Sequence, residues 1–247
     1  KALQELHSRI QDGEIGDIIL MRGYRMAPGP LASQFSEKWP GNPSELLWQL
    51  QRFHSFLWAS GGCYSDFYIH HIDHCCWMKN AWPVKAQALG GRHYRYDYVD
   101  QNFDSYSVEY TFADGTKLLM DGRNMNGANA IYSSYAQGSK GMAILSKNGD
   151  CGTPSSTYKG QNPNKKNLIW ESTDTSNPYQ NEWDTLIAAI RDNVYVTDAD
   201  FRLCWWNPRV EEVLESDSDS LRGRHLFEFV EPDDVPRIER ALECVMR

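Results

Sequence analysis

Residues 65–77 read Ser-Asp-Phe-Tyr-Ile-His-His-Ile-Asp-His-Cys-Cys-Trp (SDFYIHHIDHCCW), placing three histidines, two aspartates and two cysteines within thirteen positions. At about 100° per residue, a helix through them gathers Asp66, His70, Asp73, His74 and Trp77 on one stripe. Tyr68, Ile69, Ile72, Cys75 and Cys76 fall on the other side. One apolar face and one ionisable face suit the wall of a cleft. Asp66 and His70 stand at i,i+4, close enough to hydrogen-bond, and a carboxylate beside an imidazole orients it and raises its proton affinity. Zinc could use the same atoms, with His70, His74 and either Asp66 or Asp73 as ligands. Against metal, the glutamate of an H-E-x-x-H pattern is missing and the cysteines lie on the apolar side, so no metal site is expected. A third reading is a polar helix face with His71 and His74 simply in water.

Around this motif the pattern changes from helical to alternating. A helix over residues 1–12 ends at Gly13, a suitable C-terminal glycine, and a strand follows at 17–23. The Pro- and Gly-rich stretch 27–43 leads into a helix at 44–59, and the motif helix ends near Asn80. Period-two alternation then predicts strands at 84–90, 105–112, 117–122, 131–137 and 142–146, with Asp114-Gly115 supplying a hairpin turn. Residues 149–180, rich in Asn, Ser, Thr, Gly and Pro, read as a surface excursion. Helices first and an antiparallel sheet after them make the fold class α+β.

In this setting Gly61-Gly62-x-x-x-Asp66-x-x-x-His70-x-x-Asp73, followed by Trp77 and Pro83, resembles the signature of the Gfo/Idh/MocA oxidoreductases. The lead-in Ile10-x-x-Gly13-x-Ile15-Gly16-Asp17-Ile18 and the stretch SYSVEYTFADGTK (105–117) resemble that family's entry into its sheet and its sheet hairpin. The resemblance covers residues 1–191. It implies a substrate domain with a large, open, mostly antiparallel sheet, helices on one face, and homo-oligomer contact through the open sheet. It also implies that His70 exchanges a proton with the hydroxyl or carbonyl of a sugar or polyol, with Asp66 in support. Asp73, Arg22, Tyr24, Trp48 and Trp58 are then the candidate substrate contacts, each with core or sheet packing as its alternative. NAD or NADP would carry the hydride, which no protein side chain can do.

The nucleotide-binding half of that family has no counterpart here. No two glycines are separated by a single residue, so the G-x-G-x-x-G fingerprint is missing. Glu37-Lys38-Trp39-Pro40 only approximates the family's Glu-Lys-Pro motif. The chain alone is therefore expected neither to bind NAD(P) tightly nor to turn over substrate.

A seam is expected near Asp192. Beyond it, residues 194–208 and 223–234 resemble the first half of a PAS sensor domain, so 193–247 is read as a partial PAS-like domain, with Asn207 capping a helix that starts at Pro208. A non-catalytic module that senses or dimerises through this segment is the alternative function.

Bulk properties narrow the classes. A formal charge of −8 argues against nucleic acid as partner. No apolar run reaches the roughly 18 residues of a membrane span and no export signal is visible, so no membrane partner and a cytoplasmic location are expected. Six scattered cysteines without a C-x-x-C pair read as reduced thiols.

Overall fold

The computed structural model describes residues 1–29, 34–93, 95–147, 154–174 and 176–238. They form two compact units, Lys1–Thr175 and Ser176–Arg247.

The first unit opens with α1 (Ala2–Gln11), β1 (Ile18–Ala27), α2 (Glu45–Gln51) and α3 (Leu57–Ser60). A π-helical turn, Tyr64–Tyr68, then runs directly into α4 (Ile69–Lys79). Seven strands follow: β2 (Lys85–Gly91), β3 (Ser105–Thr111), β4 (Lys117–Asn124), β5 (Ile131–Gly138), β6 (Gly141–Lys147), β7 (Ser156–Lys159) and β8 (Leu168–Glu171). All eight strands make one sheet in the order β2-β3-β4-β1-β5-β6-β7-β8. The β1–β4 pair is parallel, with Leu20 opposite Lys117, and every other pair is antiparallel. The α+β class with a large, mostly antiparallel sheet is thus the observed one.

Strand alternation decides what each face carries. From β1, Met21, Gly23, Arg25 and Ala27 are buried, while Leu20, Arg22, Tyr24 and Met26 on the opposite face are half-buried. On the buried face, Leu6 and Ile10 of α1 and Ile72, Cys75 and Met78 of α4 join Met21, Val108, Leu118, Met120, Ala136, Ala143 and Leu145 in the main core. Two glycines permit this close approach. A Cβ at Gly122 would fall inside the ring of Tyr68, and one at Gly23 would press on Met120 and the Cβ of His71.

Two local expectations fail for identifiable reasons. The helix read at 44–59 breaks into α2, a 3₁₀ turn at Phe53–Ser55 and α3, because Phe56 is extended (φ −118°, ψ 121°). Phe56 is buried there edge-to-face against Trp48, at 5.5 Å between ring centroids. The excursion read at 149–180 contains β7 and β8. β7 (Ser-Thr-Tyr-Lys) is largely polar, which hid it, and β8 (Leu-Ile-Trp-Glu) is only four residues long; yet Ser155, Ser156 and Thr157 are buried and bonded. Ser155 Oγ donates to the Leu145 carbonyl at 2.7 Å, and Thr157 Oγ1 donates to the Glu14 carboxylate.

The second unit holds α5 (Pro178–Ala189), β9 (Tyr195–Thr197), β10 (Leu203–Trp206), α6 (Pro208–Leu214) and α7 (Ser218–Leu221). Its small core is Leu203, Trp206, Val210, Leu221 and Leu226. The division falls ahead of α5, before the seam read near Asp192, and Asn207 shows why. Its side-chain amide donates to the carbonyls of Asp192 (3.0 Å), Ile190 (3.4 Å) and Ile187 (3.5 Å), and its Oδ1 accepts from Val194 N–H (3.1 Å). Asn207 does occupy the N-cap position of α6, but its side chain makes no capping bond there. It fastens the preceding segment instead. No helix among the described residues is long and apolar enough to cross a membrane. Cys63, Cys75, Cys76 and Cys204 are free thiols, and Cys151 and Cys244 lie outside the described residues.

Candidate functional site

The π-turn changes the geometry of the opening motif. Ile69 N–H donates to the Tyr64 carbonyl, a five-residue step, so four residues no longer complete one turn. Asp66 lies within that turn and His70 just beyond it. The expected Asp66–His70 bond is not made. Asp66 Oδ2 instead bonds His54 Nδ1 at 2.8 Å, with both side chains mostly buried. A carboxylate–imidazole couple therefore exists, but its imidazole comes from the 3₁₀ turn after α2. Phe53 and Phe67 hold the His54 ring, at centroid distances of 3.9 and 5.1 Å. With Nδ1 taken by the carboxylate, Nε2 is the nitrogen that can face a ligand.

His70 is exposed on the first turn of α4. Partial burial lowers its pKa, the nearby Arg25 guanidinium lowers it further, and Asp73, three residues on, opposes the shift. The imidazole is therefore neutral at pH 7 and able to accept a proton. Arg25 itself is buried, 4.4 Å from the Tyr132 ring and 5.8 Å from the Phe67 ring. Phe67 thus touches both the His54–Asp66 couple and the cation that acts on His70.

The remaining candidates separate. Arg22 and Tyr24 lie on the open face of the sheet, away from α4, where Arg22 Nη1 reaches Tyr24 Oη at 3.5 Å and Tyr24 meets Tyr135 edge-on. A step of one residue along a strand reverses the face, and Arg25 is the β1 cation that faces the helices. Trp48 is buried against Phe56, while Trp58 is 57% exposed and donates from Nε1 to Gln49 Oε1 at 2.8 Å. Asp73 is exposed beside a hollow of about 400 Å³ that Trp77, Asn80 and Trp82 also line.

His71 and His74 are not solvated. Burial drives His71 down to about 3, helped by His74 and Arg25, and drives His74 down to about 4. Their rings are 6.0 Å apart, and among the described residues neither His71 nitrogen has a hydrogen-bond partner. His70 is exposed and His74 buried, so the i,i+4 histidine pair of the zinc reading is divided between solvent and core. Among the described residues no three His, Cys, Asp or Glu side chains are grouped to hold a metal. Sequence reasoning missed His54 and Arg25. The face alternation of β1 could have identified Arg25, but a separation of twelve positions from Asp66 and a broken helix hid His54.

Comparison with known proteins bears on the fold. A family model described as the PAS fold matches residues 187–247. No curated protein matches the sequence. Among solved structures, an aldose-aldose oxidoreductase from Caulobacter crescentus, complexed with glycerol, is similar at 15% identity and a TM-score of 0.51, over 74% of this chain and 48% of that one. A structure from Thermotoga maritima described as an oxidoreductase is similar at 12% identity and a TM-score of 0.50, over 74% and 49%. A myo-inositol dehydrogenase from Corynebacterium glutamicum is similar at 18% identity and a TM-score of 0.44, over 60% and 38%. The chain thus spans less than half the length of each of these solved chains. Over about three quarters of its length the chain shares its fold with the Caulobacter crescentus and Thermotoga maritima oxidoreductase structures at TM-scores of 0.50–0.51, and residues 187–247 match the PAS fold.

Proposed function

We propose that the first unit is the substrate-binding half of an NAD(P)-dependent oxidoreductase acting on a sugar or polyol derivative. His70 is the group that exchanges a proton with the substrate hydroxyl or carbonyl. The observation that carries this reading is an exposed, neutral imidazole kept so by partial burial and by Arg25, at the start of the motif helix. A neutral imidazole can take the proton of an alcohol as its carbon gives up hydride. The positive field of Arg25 favours negative charge growing on a nearby substrate oxygen. A positioned acid/base of this kind contributes about 10²–10⁴ in rate. Asp66 acts through His54, as its orienting partner, and Asp73 stands on the His70 side of α4 as a substrate contact.

The described residues do not fit a dinucleotide. Such a site needs a strand, a glycine turn and a helix N-terminus aimed at the pyrophosphate. Here β1 leads into a long loop instead, and no pair of glycines has the required spacing. The nicotinamide is therefore presented from outside the described residues, and this chain contributes substrate binding and proton transfer. The open face bearing Arg22 and Tyr24 serves homo-oligomer contact rather than substrate.

Long-range ¹H–¹⁵N NMR of the imidazoles tests the reading. The His70 ring is expected to titrate below 6.5 and to shift on saturation with myo-inositol or glycerol. If His70 titrates normally, and polyols and aldoses leave its resonances in place, the assignment fails.

A further inference from the structure

A cavity of about 460 Å³ lies between the loop that follows β1, α2 and the loop ahead of β3. Its walls are aromatic. Trp48 is buried at one side, and Phe35 and Tyr98 meet edge-to-face at 5.4 Å and 90° at the other. The frame is fixed, since Ser36 Oγ hydrogen-bonds Ser55 Oγ at 2.7 Å and Val99 N–H donates to the Ser36 carbonyl at 2.8 Å.

Two cations line this cavity, Arg52 and Lys38, with Glu37 as the one acid. In a chain with 33 acids and 25 bases, cations usually find carboxylates. Among the described residues, however, neither the Arg52 nor the Lys38 side chain has an ion-pair or hydrogen-bond partner, although the Arg52 guanidinium rests 5.3 Å from the Trp48 ring centroid. That contact holds the guanidinium beside the indole while leaving its N–H groups to bind. Five donors in a rigid fork match the paired oxygens of a carboxylate or phosphate, and a flexible ammonium supplies a second point of charge. A few polar groups converging on apolar walls are what a small-molecule site requires.

We propose that this cavity binds a carboxylate- or phosphate-bearing molecule of sugar size. Arg52 and Lys38 grip the acidic group, and the body of the ligand packs on Trp48 and Tyr98. Of the residues named for the His70 reading, Trp48 alone lines this cavity; His70, Arg25, His54, Asp66 and Asp73 do not.

Calorimetry on the full chain with glucuronate, glucose 6-phosphate and neutral glucose provides the test. At least one of the acids should bind about tenfold or more tighter than glucose, the loss expected when a charged group forfeits its partner. Which acid binds tighter distinguishes carboxylate from phosphate. Arg52→Gln and Lys38→Gln should each weaken the acid about five- to tenfold, whereas Arg52→Lys should retain part of the affinity. Lys38 is exposed, so its variant reports even if Arg52→Gln fails to fold. Glucose binding as tightly as both acids would overturn the proposal. So would no saturable binding up to about 10 mM, or unchanged affinity in both the Lys38→Gln and Arg52→Lys variants.

Discussion

Acid should unfold the first unit through two histidines that take no part in the proposed chemistry. His71 is fully buried and His74 nearly so, and burial is the largest cause of both depressed values, about 3 and about 4 against 6.5 for a free imidazole. Above pH 6.5 both the folded and unfolded chains hold these rings neutral, and the pair costs nothing. Between 6.5 and roughly 3–4 the unfolded chain takes up protons that the folded chain refuses, so stability falls as pH falls; below that window the loss levels off. At pH 5 each ring has passed about 1.5 units of the window, worth about 2 kcal/mol, or about 4 kcal/mol for the pair. That is a large fraction of the roughly 5–15 kcal/mol that typically holds a domain folded. Urea unfolding at pH 7.5, 6.5, 5.5 and 5.0 reads this directly. The wild-type chain should lose about 4 kcal/mol more between the extremes than a His71→Leu/His74→Leu double variant, and each single variant should recover about half. Leucine removes the titration at nearly the same side-chain volume, and at position 71 it also removes two nitrogens that have no partner among the described residues. A double variant as acid-labile as the wild type would refute the argument.

Three further outcomes follow from geometry. Asp66→Asn should move the His54 ring resonances in an NMR spectrum and leave those of His70 in place, because the carboxylate bonds the His54 ring; a change confined to His70 would restore the i,i+4 pairing. Gly122→Ala should destabilise the first unit by about 1–3 kcal/mol in denaturant melts, because the added methyl meets the Tyr68 ring, and a neutral effect would mean that ring can move aside. Asn207→Ala should raise amide exchange across residues 187–194 well above that in the rest of the second unit, because it removes the bonds that tie the end of α5 to β10; equal protection would show the tie to be redundant.

The sheet was legible in the sequence where its strands alternate. Residues 105–112 and 117–122 read correctly because Val108, Leu118 and Met120 recur with period two on the face toward the helices. β7 was illegible because Ser155, just ahead of it, and Thr157 within it are buried hydroxyls bonded to Leu145 and Glu14, and composition registers such residues only as polar. The motif helix was placed correctly, but its side-chain partnership was not. Periodicity assumes a regular helix, and one five-residue step at Tyr64–Tyr68 moves Asp66 from His70 to His54. In β1, Arg22 and Arg25 look alike as cations, and only the parity of the strand separates the one facing the helices from the one on the open face.

The parallel pairing of β1 with β4 carries a cost during synthesis. β1 sits mid-sheet, yet Leu20 meets its first ladder partner only at Lys117, and its other neighbour, β5, is made later still. At about 5–20 residues per second, a nascent β1 leaves the ribosome with both edges bare for about 5–20 s. Such a strand is a standing invitation to mispairing, which makes the interval before β4 emerges the period in which a chaperone would matter most to this polypeptide.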